Sequence, residues 1–313
     1  MRLKYSPIKT FFSILLLLFL AVFIGITLYF WQAAKTFQQQ PATEISLPNL
    51  NGFNLKNITC EPSECLLLTL DKPNLLAPKW KNFRQEIQKH NPSLSDSNQP
   101  QAILILLHGL HGQKEQFLAI AARYAAIGFA VIIPDLAAHG TNQAKSNAFG
   151  SQVSETKIVF SALQAAQKHF QKPLPVSLWG YSMGGSYANF AAAQAPDTFQ
   201  ALVIVSSFAQ IDDVLKNKIS YLPDFIQKLL IAYFNKIVLL RTGVNTHLIQ
   251  PQKAAQKIAL PIFQVHGALD KLVPPSQAQI LHDTYPSSQK TLLIVPDAGH
   301  NDIVRSAKKQ NIL

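Results

Sequence analysis

Charge is scarce in this chain of 313 residues: only 14% are Asp, Glu, Lys or Arg, against 48% hydrophobic. Disorder requires low hydrophobicity and dense charge, so this composition excludes a disordered protein. Acidic residues are the scarcer sign, 17 against 28 basic, for a formal net charge of +11. The basic excess is dispersed and forms no Lys/Arg stripe interleaved with aromatics, which argues against a nucleic-acid partner. Two cysteines exclude a disulfide-dense scaffold and any four-cysteine zinc or iron–sulfur site. With 13 Gly and 19 Pro the chain is neither collagen-like nor a low-complexity linker. No internal repeat is visible.

Much of the apolar excess lies in one run. From Phe11 to Trp31 no residue is charged, and all but Ser13, Gly25 and Thr27 are apolar. As a helix this run is about 31 Å long, the thickness of a bilayer's hydrocarbon core. Arg2, Lys4 and Lys9 precede it and only Lys35 follows closely. The positive-inside bias then keeps residues 1–10 cytoplasmic and exports everything after the span at 11–31. A cleaved signal peptide, giving a secreted protein, is the competing reading; its apolar region is normally shorter and ends at a small-x-small site, which Trp31-Gln32-Ala33-Ala34 does not supply.

Residues 32–56 are polar, with Gln and Pro prominent, and read as a tether before a domain at 57–313. Cys60 and Cys65 stand close enough in sequence to close a small loop in an oxidising compartment. From Ala102 the pattern alternates strand and helix. Ala102–Leu107 is a continuous apolar run, as expected for a strand buried on both faces. Further strands are expected at 130–133, 176–179, 201–205, 261–265 and 291–295, with helices between them and a last helix at the C-terminus. This alternation predicts an α/β fold with a doubly wound, mostly parallel sheet. A largely helical insertion at about 208–257 interrupts it.

The chemistry-bearing residues fall at strand ends. Gly180-Tyr181-Ser182-Met183-Gly184 follows an apolar strand and precedes an Ala-rich helix, the setting of a nucleophile elbow. Glycines at 180 and 184 remove Cβ atoms that would clash across so tight a turn. A serine hydroxyl needs a base, and the base an orienting carboxylate. Downstream, Asp270 follows the apolar run ending at Val265, and His300 follows the one ending at Val295, so both stand where open α/β sheets carry their sites. Asp297 is the rival acid, badly placed beside the base on one loop. Two backbone amides should form an oxyanion hole: Met183, directly after the nucleophile, and Leu110, in the loop His108-Gly109-Leu110-His111-Gly112. The two histidines of that loop also have a metal-like spacing, but no third ligand is close in sequence. His108 is expected to brace the loop, and neither a metal nor a cofactor is called for.

Taken together, H-G-x-x-G at 108–112, G-x-S-x-G-G at 180–185, H-G-x-x-D-x-x-V-P at 266–274 and the Gly299-His300 pair resemble the α/β-hydrolase family over about residues 100–305. The chain looks most like its membrane-anchored lysophospholipase, monoacylglycerol-lipase and serine-aminopeptidase-like branches. The resemblance implies a serine hydrolase acting on a small-molecule or lipid ester through an acyl-enzyme, with the insertion as a cap. Asp135-Leu-Ala-Ala-His139-Gly140 departs from the D-x-x-G-x-G loop of such relatives. An aminopeptidase or an acyl-protein thioesterase would use the same triad; the former needs cap carboxylates, for which Asp212, Asp213 and Asp224 are the candidates. A non-catalytic ligand-binding protein on this fold would normally lack a triad member, and none is missing.

Overall fold

The computed structural model describes residues 7–38, 40–91, 94, 98–142, 149 and 153–303. Helix α1 (Pro7–Ala33) opens the chain. A mixed eight-stranded sheet follows, built from β1 (Phe53–Cys60), β2 (Ser63–Leu70), β3 (Ala102–Leu107), β4 (Phe129–Pro134), β5 (Val176–Tyr181), β6 (Ala201–Val205), β7 (Ile262–Gly267) and β8 (Lys290–Val295). The spatial order is β8-β7-β6-β5-β3-β4-β2-β1. The six strands from β3 to β8 run parallel, whereas β1 and β2 form an antiparallel hairpin added beside β4.

The apolar runs explain this layout. Along β3, Ile103, Ile105 and Leu107 join the core on one face, and Leu104 and Leu106 the core on the other. Both sides are covered, so an uninterrupted run is the stable choice. The outer strand β1 carries Asn54, Lys56 and Asn57, a polar pattern that suits an edge. Cys60 and Cys65 are buried and joined by a disulfide across the β1–β2 turn. Helices α2 (Pro78–His90), α3 (Leu118–Ala126), α4 (Val153–Phe170), α5 (Met183–Gln194) and α9 (Pro275–Thr284) flank the sheet. Between β6 and β7 lie α6 (Ile211–Lys218), α7 (Asp224–Thr242) and the short α8 (Pro251–Ala255), the helical insertion expected there. The C-terminal helix expected from the sequence lies past β8, where residues 304–313 are outside the described residues.

Residues 32–56, read from the sequence as a tether, make several contacts with the domain. Helix α1 is longer than the span at 11–31, and a 3-10 turn at Ala34–Phe37 continues from it. Ala34 and Phe37 are buried, Gln40–Pro41 pairs in parallel with His139–Gly140, and β1 already begins at Phe53. Among polar neighbours an isolated apolar residue such as Phe37 carries no period, so its burial is decided by tertiary contacts alone. Helix α1 itself is long and apolar enough to cross a membrane, with a mean hydropathy of 2.9 and its apolar window exposed.

Candidate active site

Strand β5 turns sharply into α5 at Ser182, whose backbone sits at φ 52° and ψ −115°. Left-handed φ is costly for a residue with a side chain, and such strain is held only where the surroundings over-determine it. Here they do. The Ser182 N–H donates to the Val205 carbonyl at 2.8 Å, and its carbonyl accepts from the Ser207 hydroxyl at 2.8 Å. A Cβ at Gly184 would collide with the Leu107 carbonyl oxygen, and one at Gly180 with the Gly184 carbonyl. The two glycines therefore let the turn press against the end of β3, leaving the Ser182 side chain at the sheet's C-terminal edge.

Ser182, Asp270 and His300, 118 residues apart at the extremes, meet at that edge. His300 Nε2 lies 3.1 Å from Ser182 Oγ, and His300 Nδ1 lies 2.7 Å from Asp270 Oδ2. A carboxylate only accepts, so Nδ1 carries the proton and Nε2 faces the serine as a lone pair. Asp270 Oδ1 accepts the Leu272 and Val273 amides at 2.9 and 2.8 Å. Burial pushes the Asp270 carboxyl up, but hydrogen bonds from His266 and His300 and the charge of His300 outweigh it and hold the group below the usual carboxylate range. Asp297, the rival acid, is exposed.

The supporting loop follows β3. His108 is buried; its Nδ1–H donates to the Gly109 carbonyl at 2.8 Å, and its Nε2 accepts the Leu136 amide at 3.0 Å. Both ring nitrogens are thus committed to backbone, which leaves no lone pair for a metal. Burial, reinforced by His139, pushes His108 down to about 3, so it is neutral at pH 7. The loop brings the Leu110 amide to the same cavity as the Met183 amide at the start of α5. Among the described residues the Leu110 amide makes no turn or loop bond to backbone, and Met183 is the first residue of α5, where an N–H has no partner within the helix.

Three supporting side chains were not read from the sequence. Tyr181 donates its hydroxyl to the His300 carbonyl at 2.7 Å and pins the loop that carries that histidine. His266 is buried with Nε2 at 2.8 Å from the Val273 carbonyl and 3.3 Å from Asp270 Oδ2. His139 accepts the His111 amide at 3.2 Å and holds the loop from its other side. Each lies inside a motif already singled out; only the fold shows which way it points.

Above Ser182 lies a cavity of about 530 Å³. Leu110, Met183 and His300 line its floor, and Phe208, Ile211, Val214, Leu215 and Phe234 come from the insertion. Ala33, Thr36 and Phe37 supply a third wall. None of Asp212, Asp213 and Asp224 lines it, and among the described residues Lys218 is the only lysine that does. Asp212 faces Asn235 and His247, Asp213 faces Gln210 and Gln277, and Asp224 pairs with Lys216 and Lys228.

Fold and sequence relationships agree on the class. A family described as serine aminopeptidase, S33, matches residues 98–253. Monoglyceride lipase of Rattus norvegicus is 22% identical over 233 residues, covering 65% of this chain and 77% of its own. An uncharacterised membrane protein of Saccharomyces cerevisiae is 22% identical over 281 residues, covering 89% and 86%. The structure of a Pyrococcus furiosus esterase superposes with a TM-score of 0.58 at 15% identity, covering 88% of this chain and 94% of its own. The chain is an α/β-hydrolase. It is a hydrolase, and the proteins it is similar to include lipases and esterases.

Proposed function

We propose that this chain is a membrane-tethered serine hydrolase that cleaves carboxylic esters of acyl chains. The observation that carries the reading is the hydrogen-bonded series Ser182–His300–Asp270 beneath an apolar cavity. Ser182 Oγ attacks the ester carbonyl as His300 Nε2 takes its proton, and Asp270 stabilises the imidazolium that forms. The developing oxyanion meets the Leu110 and Met183 amides. Collapse expels the alcohol, which takes the proton from His300, and leaves an acyl group on Ser182. Water, deprotonated by the same imidazole, then releases the acid.

The cavity lining favours an acyl ester over an aminoacyl substrate. A peptide's free amine needs a carboxylate partner in a desolvated site, and the three cap aspartates are engaged elsewhere. Each buried methylene of an acyl chain contributes about 0.8 kcal/mol instead. Monoacylglycerols and lysophospholipids are the natural candidates, with α1 as the anchor, residues 1–10 cytoplasmic and the catalytic domain exported. The Cys60–Cys65 disulfide suits such an oxidising compartment. Turnover of p-nitrophenyl esters by the full chain, beside aminoacyl anilides, tests the reading. Ser182→Ala should lower ester turnover by roughly 10⁶-fold and abolish fluorophosphonate labelling; turnover within tenfold of the unaltered chain would sink the assignment.

A further inference from the structure

We infer that the segment Ala33–Phe37, between the apolar helix and the sheet, is a wall of the acyl-binding cavity and sets how long an acyl chain fits. The inference rests on the ester-hydrolase reading and extends it to the source of the substrate. Ala33, Thr36 and Phe37 line the cavity that holds Ser182. The segment is seated, since Ala34 is 0% and Phe37 6% exposed.

It is also pinned from both sides. Downstream, the Gln40 N–H donates to the Ala138 carbonyl at 2.6 Å, the Gln40 side chain meets His111 Nδ1 at 2.7 Å, and the Thr43 amide donates to Gln113 at 2.7 Å. Upstream, the Phe234 ring of α7 lies between two aromatic residues of the N-terminal region, with centroids 5.2 Å from Phe30 and 6.5 Å from Phe37. Phe234 is itself a wall of the cavity. One aromatic cluster therefore joins the end of the apolar helix, the cap and the substrate space.

The position of this wall has a chemical consequence. Ala33 is the last residue of α1, so the cavity reaches to the end of the helix assigned to the bilayer. At that depth a lipid's ester group lies at the polar boundary with its acyl chain beside it. The substrate class is thus a bilayer-resident ester whose acyl chain packs against Phe37 and Phe234, and the anchor is part of the substrate site.

Chain-length profiles of the full chain in detergent micelles test this, using p-nitrophenyl acetate, octanoate, dodecanoate and hexadecanoate. Phe37→Ala opens the wall and should raise the hexadecanoate-to-octanoate ratio; Thr36→Trp fills it and should lower that ratio about tenfold, as expected from excluding two or so methylenes. Opposite shifts cannot come from a general loss of folding, and Thr36 is only half-buried, so its variant keeps the test open if Phe37→Ala unfolds. Unchanged ratios in both variants, with esters still turned over, would overturn this inference and leave the hydrolase reading standing. Absence of any Ser182-dependent ester turnover in the unaltered chain would overturn both.

Discussion

The Thr27 hydroxyl of the apolar helix lies 2.7 Å from the Tyr233 phenol of α7. Thr27 also gives its proton to the Phe23 carbonyl at 2.7 Å, so the Tyr233 hydroxyl is the donor of the pair. Phe23 and Phe30 pack on the same tyrosine ring at 5.6 and 5.8 Å, while Arg241 covers the Trp31 ring and donates to its carbonyl. The cap is therefore fastened to the N-terminal helix along two turns of α1. With the native cysteines already bridged, a Thr27→Cys, Tyr233→Cys chain should be joined by a short bis-thiol-reactive linker without loss of Ser182 labelling. Tyr233→Phe should cost only about 0.6 kcal/mol, because the ring contacts remain. Failure of the cysteine pair to crosslink in labelled, folded protein would contradict the docking.

Asp270 is the one position of the proposed triad where an isosteric change reverses a hydrogen bond instead of removing one. Its Oδ1 holds two backbone amides, so in Asp270→Asn the amide oxygen stays there and the NH₂ turns to His300. That donor can meet only a lone pair at Nδ1, which forces the proton onto Nε2, facing Ser182. The base is then unable to accept, and kcat should fall about 10⁴-fold. Turnover measured beside a thermal melt checks this; a loss below about tenfold would remove Asp270 from the role.

These contacts mark where the sequence was legible and where it was not. The inner parallel strands were readable because burial on both faces leaves uninterrupted apolar runs such as Ala102–Leu107, and the edge strand β8 kept a short apolar run although Thr291 and Ile294 are exposed. The convergence of Ser182, Asp270 and His300 at one sheet edge was legible because each follows the end of an apolar run, Ser182 between glycines whose close approaches the turn requires. The docking of Ala34–Phe37 was hidden, since one phenylalanine among Gln, Lys and Thr carries no periodic signal. Side-chain direction was hidden as well. Nothing in the order of residues tells that Tyr181 reaches His300, or that Lys114 and Asp135 meet, because those pairings follow from loops converging at one sheet edge.

Lys114 and Asp135 form a buried pair, with side chains 5% and 0% exposed. Asp135 also accepts the Lys114 amide and both the amide and hydroxyl of Thr141, each at 2.9 Å. Burial raises its carboxyl, yet these bonds together outweigh burial and hold it below the ordinary value. This pairing anchors the loop that departs from the expected D-x-x-G-x-G pattern. Lys114→Met strands a buried carboxylate without its cation and should cost about 3–5 kcal/mol in urea unfolding. Adding Asp135→Asn should recover part of that loss, whereas a single-variant cost under about 1 kcal/mol would show the pair to be solvated.

Stability should fall with acidification well before the carboxylates titrate. His108, held neutral with its folded value pushed down to about 3, stands far below the imidazole of an unfolded chain, near 6.5. His139 is lowered in the same direction by burial. Below about pH 6.5 the unfolded chain therefore binds protons that the fold refuses, and stability drops as pH falls. Between pH 7 and pH 5 His108 alone should account for about 2 kcal/mol. Asp135 and Asp270 act in a lower window: both are depressed in the fold, so their contribution is complete above about pH 4 and lost only below it. Urea midpoints at pH 7, 6 and 5 should then decline steadily, and equal midpoints at pH 7 and 5 would refute the buried neutral histidine that braces the loop after β3.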